Sequence, residues 1–85
     1  MTMMNKEIFV EKQASLAEQE LSFEPGEISF DKNDIGPRSV ICVGDDYLVV
    51  EEVAGEKVRC IDLLDDGFRV VKLSDDIAVI GSLIV

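Results

Sequence analysis

Histidine and tryptophan are missing from this chain, and tyrosine occurs once. Without histidine no side chain titrates near neutrality by default, so neither a serine-histidine relay nor a histidine-based metal centre can be assembled. Serines 15, 22, 29, 39, 74 and 82 have no other base placed to activate them, because Lys57 falls in a turn beside Glu56. Cysteine is scarce as well. Cys42 and Cys60 sit inside apolar runs with none of the spacing of a metal knuckle, which points to two buried free thiols rather than a bridge or a zinc site. Bases are few, eight against 18 acids, and the formal charge of -10 divides as -5 on residues 1–35 and -5 on residues 36–85. No basic arm exists, and a field of that sign repels nucleic-acid phosphates and anionic membranes while favouring basic protein faces. Gly55 and Gly67 are hairpin glycines, not a phosphate-cradling set. Long apolar runs are absent too: residues 77–85 are interrupted by Gly81 and Ser82, and residues 1–7 carry no signal-peptide core. A cytoplasmic location without a membrane span is the expectation.

What is present is enough for one core. A chain of 85 residues, 47% of them hydrophobic, buries only roughly 60 to 65% of its unfolded surface, so a single domain over residues 1–85 is expected. Near the N-terminus, Asn5 is placed to cap a helix over residues 5–24, with Glu7 and Glu11 in its early turns and Met3 or Met4 stapled toward Phe9. Phe9, Leu16, Ala17 and Leu21 give a narrow apolar stripe, although residues 7–12 would serve equally well as a short strand. Pro25-Gly26 is expected to end the helix, and residues 27–30 to form an edge strand.

After Ser39 the pattern becomes β. Residues 40–43, 47–53, 58–64, 68–73 and 77–85 are rich in β-branched side chains and are separated by links of about three residues. The fold class is therefore mainly β, of the α+β kind: a small antiparallel meander of five to six strands over residues 39–85, forming an SH3-like barrel or a twisted sheet, with one N-terminal helix. Val58 and Cys60 fall on one strand parity and Ile61 and Leu63 on the other, which calls for a bulge within residues 59–62.

Paired acids enter several strands: Asp45-Asp46, Asp65-Asp66 and Asp75-Asp76. Turn preference accounts for much of this. In a meander the first two pairs share one end, and the third joins Glu56 at the other. Glu51-Glu52 differs, because adjacent strand residues face opposite sides and one carboxylate must be re-aimed by a bulge or a frayed end. Asp45, Asp46, Tyr47, Glu51, Glu52, Asp65 and Asp66 are thus the candidate interaction surface, suited to a basic protein partner.

The final strand carries apolar residues on both parities. Either a second subunit covers one face, with Ile80, Leu83, Ile84 and Val85 as the self-association surface, or the sheet closes into a barrel in which Ile77 and Val79 point inward, Ala78 and Ile80 pack under the helix and Ile84 and Val85 fray. The function expected from these features is that of a small acidic, non-catalytic protein-interaction or regulatory accessory domain, of microbial or phage type, forming homo-oligomers. An acidic mimic of nucleic acid that inhibits a DNA- or RNA-binding protein, and an oligomeric structural component, are the alternatives. No catalytic, cofactor or metal residue is assigned. Chelator treatment is accordingly expected to leave Tm within about 2 °C, measured by thermal unfolding, because no ligand set couples metal binding to folding.

Overall fold

The computed structural model describes residues 6–19 and 22–84, with Lys6 described by its backbone alone. The elements run α1 (Lys6–Ala17), β1 (Phe23–Ser29), a 3-10 turn (Lys32–Asp34), β2 (Ser39–Val43), β3 (Asp46–Ala54), β4 (Lys57–Asp62), β5 (Phe68–Lys72) and β6 (Ala78–Leu83). The strands form one antiparallel sheet in the order β1-β6-β2-β3-β4-β5. It is open. Strands β1 and β5 are its two edges, so the barrel alternative gives way to the twisted sheet. Residues 39–85 are not one continuous meander either: β2 to β5 are, but β6 returns to the far side of β2 and lies between β2 and β1.

Strand β6 takes an interior position, one strand in from the β1 edge, because it is the segment that can be buried on two sides. Val79 joins Ile35, Ile41, Leu48, Val50, Val58, Cys60, Val71 and Ile77 in one core, while Ala78 and Ile80 join Leu16, Phe23, Ile28, Val40 and Cys42 in the other. The doubly apolar pattern is thus satisfied within one chain, with the side-chain directions of the second arrangement but in an open sheet and not the closed barrel expected with them. Neither edge of β6 is free for a second copy, since β1 pairs on one side and β2 on the other. Ile80 is fully buried, Leu83 half-buried and Ile84 exposed, and Val85 lies outside the described residues.

The helix is shorter than the sequence suggests. It ends at Ala17, which is exposed, and the chain is already in β1 at Phe23. Pro25 and Gly26 fall inside that strand rather than before it; an edge strand tolerates proline because the missing N–H faces away from the ladder. Asn5, Met3, Met4 and Leu21 lie outside the described residues. Residues 7–12 are helical. The inward face is Phe9, Lys12, Gln13 and Leu16, at helical i, i+3, i+4 and i+7 spacing, and two of the four are polar. Phe9 meets Phe30 edge-to-face, with centroids 5.5 Å apart.

Gln13 bridges two strands. In the β6–β2 ladder Val40 pairs with Gly81 and Ile41 with Val79, so Ile80 is an extra residue, and the β1–β6 ladder slips at the same level between Pro25 and Ser29. Such irregularities leave carbonyls without ladder partners. The Gln13 amide donates to two of them, Gly26 O at 2.6 Å and Ile80 O at 2.7 Å. Beside this point Gly81 lies under the Phe23 ring: an added Cβ would meet the ring at 2.7 Å and collide with the Glu24 carbonyl oxygen.

Replacing Gln13 by Ala should therefore destabilise the fold by about 1–3 kcal/mol, the usual cost of a partly buried carbonyl left unpaired. Gln13→Glu, which keeps the shape but loses the donors, should cost at least as much in urea unfolding. A near-neutral Gln13→Glu would show that the side chain acts only by packing.

Candidate functional site

Of the seven residues singled out as a candidate interaction surface, Asp45, Asp46 and Glu52 each lie beside a cation. Asp46 is bonded to the Arg69 guanidinium, an ion pair that links β3 to β5 across β4. Glu52 lies 3.4 Å from Arg59, and Asp45 lies 3.9 Å from Lys12. Tyr47 belongs to the core under the helix, with Lys12 Nζ 5.9 Å from its ring centroid. Glu51 is the bulge residue of β3, without a partner between Val50↔Cys60 and Glu52↔Arg59, so a bulge does re-aim this carboxylate. The bulge expected within residues 59–62 sits on the opposite strand instead, and β4 itself stays regular against β5.

Asp65 and Asp66 are exposed in the β4–β5 turn. That turn is organised by Asp62, whose Oδ1 accepts from Leu64 N at 2.9 Å and Asp65 N at 3.2 Å. Leu63 N donates to Tyr47 O, and Leu73 N donates to Glu56 O. The two turns at Asp45 and Asp65 therefore do share one end of the sheet, and the segment after β5 meets Glu56 at the other.

A different surface emerges on β4 and β5. Val58, Cys60 and Val71 face inward, so the alternate residues Lys57, Arg59, Ile61, Phe68, Val70 and Lys72 share the outer side. Helix α1 packs on β1 and β6 and does not reach this half of the sheet. Phe68 is 68% exposed and Val70 58%. Arg59 lies over the Phe68 ring at 5.7 Å, and its neighbours Lys57 and Lys72 are directly opposite one another. The signal was a period-2 alternation, Lys57-x-Arg59-x-Ile61 and Phe68-x-Val70-x-Lys72, masked by the paired acids that dominate so acidic a chain.

The outer edge of β5 is unpaired. Asp62 N donates to Gly67 O and Leu73 N to Glu56 O, so the bonded pairs along β4–β5 are the alternate ones, and Phe68, Val70 and Lys72 turn their N–H and C=O groups outward. Asp75 closes the last of these. Its Oδ2 accepts from Lys72 N at 3.3 Å, and its own N–H donates to Lys72 O at 3.0 Å. Phe68 and Val70 remain as the open stretch.

Two clefts flank these features. One, of about 540 Å³, is lined by Glu27, Asp31 and Asp34 among others, but Asp34 accepts from Ser29 Oγ and Asp31 Oδ1 accepts from Asn33 N, so these two aspartates are engaged in the turn around Lys32–Asp34. The other, of about 460 Å³, is lined by Lys32, Glu56, Lys57, Lys72, Leu73 and Ser74. Among the described residues, no group of three or more Cys, Asp or Glu side chains is placed to hold a metal ion. No helix of the described residues is long and apolar enough to cross a membrane. Comparison with protein-family models, with curated proteins and with solved structures gives no match.

Both thiols are free and buried. Burial pushes Cys42 up to about 11, against a smaller opposing effect of the Lys12 charge. Burial also raises Cys60, with Arg69 acting against it and Glu51 with it, and raises Tyr47, with smaller contributions from Cys42 and Asp45. Neither thiol is poised as a nucleophile. A pKa raised on folding favours the protonated native state, so the contribution of Cys42 is complete below about pH 9 and is lost between about 9 and about 11 as the unfolded thiol ionises first. Folded protein should consequently resist thiol reagents at pH 8. Stability measured across pH 9 to 11 should fall more steeply in the wild type than in Cys42→Ala, and equal slopes would remove burial as the cause.

Proposed function

We propose that this is a non-catalytic protein-interaction domain that takes up an extended segment of a partner chain along β5. The observation that carries the reading is the open edge of β5 at Phe68 and Val70, bordered by exposed apolar side chains on the half of the sheet that α1 leaves uncovered. The opposite edge is less suited: β1 contains Pro25, an irregular register and exposed Glu24 and Glu27, all features that blunt strand pairing. A non-catalytic role is supported by the absence of histidine and by thiols whose burial keeps them protonated.

Charge selects the class of partner. Lys57, Arg59 and Lys72 surround Phe68 and Val70, so the complementary strand alternates acidic with β-branched or aromatic residues. A second copy paired through the same edge would bring this cationic group against itself, which argues for a different chain as the occupant. Backbone bonds to Phe68 and Val70 are worth roughly 0.5–1.5 kcal/mol each, so the apolar pair and the lysines must supply specificity. Acidic residues at Asp45, Asp65 and Asp66 stand exposed at one end of the sheet and would suit a basic partner or the groove of a nucleic-acid-binding protein. That alternative is given no edge or apolar anchor.

The test is a short peptide in which glutamate alternates with valine, titrated into isotope-labelled protein. The largest amide shifts should fall at Phe68 and Val70, and Val70→Pro should abolish them while preserving the fold, since this N–H is outside the ladder. Phe68→Asp serves as a second variant. Shifts confined to Asp45, Asp65 and Asp66, or unchanged binding by both variants, would overturn the reading.

A further inference from the structure

With 18 acids against eight bases, a cation in this chain has carboxylates in excess to pair with. Lys12, Arg59 and Arg69 each have one. Lys32, Lys57 and Lys72 form no ion pair among the described residues, and all three line the same cleft of about 460 Å³. Two of them are direct cross-strand partners, Lys57 on β4 and Lys72 on β5, in a non-hydrogen-bonded position where side chains approach most closely. Like charges placed so are destabilising unless a counter-ion is held between them. The third arrives from the turn Lys32–Asp34, distant in sequence, so the convergence is a product of the fold.

We infer that this cleft binds a small phosphate-bearing anion of the diphosphate class. Lysine ammonium groups are compact point charges with three donors each, and three of them around one opening match the charge and the oxygen count of such a group. Ser74 adds a hydroxyl, and half-buried Leu73 gives an apolar wall. The wall segment is held in place by its own bonds, Leu73 N–H to Glu56 O and the mutual pair between Lys72 and Asp75, so the donors are presented from a fixed frame. The net charge of -10 does not forbid an anion here: at physiological ionic strength charges more than about 8 Å away are largely screened, and Glu56 is the one carboxylate among the lining residues. The volume falls within the roughly 300–1,000 Å³ of ordinary small-ligand sites.

The inference does not depend on strand addition at β5, because Phe68 and Val70 take no part. Inorganic pyrophosphate and ADP are the probes, each titrated at constant ionic strength against chloride, with amide shifts and Tm as readouts. Both should raise Tm and move the amides of Lys32, Lys57, Lys72 and Ser74; tighter binding of ADP would identify an organic diphosphate, and tighter binding of pyrophosphate the inorganic anion. Lys57→Gln with Lys72→Gln should weaken binding at least about a hundredfold, since each charged contact removed is worth about tenfold or more. Glu56→Gln should strengthen it, a gain that misfolding cannot produce and that keeps the test decisive if the double variant does not fold. Phe68→Asp should bind as the wild type does. Absence of shifts at these four residues at millimolar probe, or equal binding by wild type and the double lysine variant, would overturn the inference.

Discussion

The carbonyl of Ile80 lies on an interior strand of the sheet, at a level where the ladders on both sides of β6 lose register. A polar group in that position has two routes to satisfaction, water or a side chain, and Gln13 provides the second. The same amide reaches Gly26 O on β1, so one residue of α1 ties together the helix, the edge strand β1 and its neighbour β6. The irregularity has a purpose in packing. It switches the parity of β6 after Ile80, so that Leu83 as well as Ile80 packs into the core under the helix, with Gly81 making room for the Phe23 ring. An 85-residue chain has little surplus stability, and here much of it passes through a single hydrogen-bonding side chain.

Docking α1 over β1 and β6 has a cost elsewhere, because one twelve-residue helix cannot cover six strands. The outer sides of β4 and β5 are left to their own side chains, and these are the residues least like the rest of the molecule. Four of the eight bases, Lys57, Arg59, Arg69 and Lys72, lie on these two strands. Arg69 turns to the other side and bonds Asp46, closing the end of the core above Cys60, which is its cross-strand partner. The remaining three face outward, and they give that half of the sheet a cationic surface on an otherwise acidic protein.

Much of the β content was legible in the sequence, for a local reason: β-branched runs and three-residue links are features of neighbouring residues, and the bulge demanded by Glu51-Glu52 follows from strand parity alone. The position of β6 was not legible, because strand order is a long-range property and double-sided burial is equally compatible with a second subunit. Helix docking was hidden by chemistry. Phe9 and Leu16 were visible as a narrow stripe, but the same face holds Lys12 and Gln13, whose contacts with backbone an apolar residue could not make. Pro25-Gly26 misled because these residues end a helix in most contexts and are equally at home in a bulged edge strand. The acids drew attention in the sequence because they are paired, but their ion pairs are long-range: Asp45, Asp46 and Glu52 each found a different cation.

The division of β5 follows from Asp75. Its carboxylate and its amide occupy both outward groups of Lys72, so the edge available for strand pairing stops at Val70. On the other side of that stop, the same backbone bonds fix the segment that walls the lysine cleft. One acidic turn residue thus shortens an edge that would otherwise run the length of the strand and pair indiscriminately, and it does so through the Lys72 backbone, leaving the ammonium group uncommitted. Lys72 is left with Lys57 opposite and no ion-pair partner among the described residues, so an added negative charge would relieve the repulsion between them. Edge and cleft share a strand and divide its chemistry. Phe68 and Val70 offer backbone and apolar surface, while Lys57 and Lys72 offer charge, and a ligand in the cleft would lower the positive potential that an acidic strand meets at the edge.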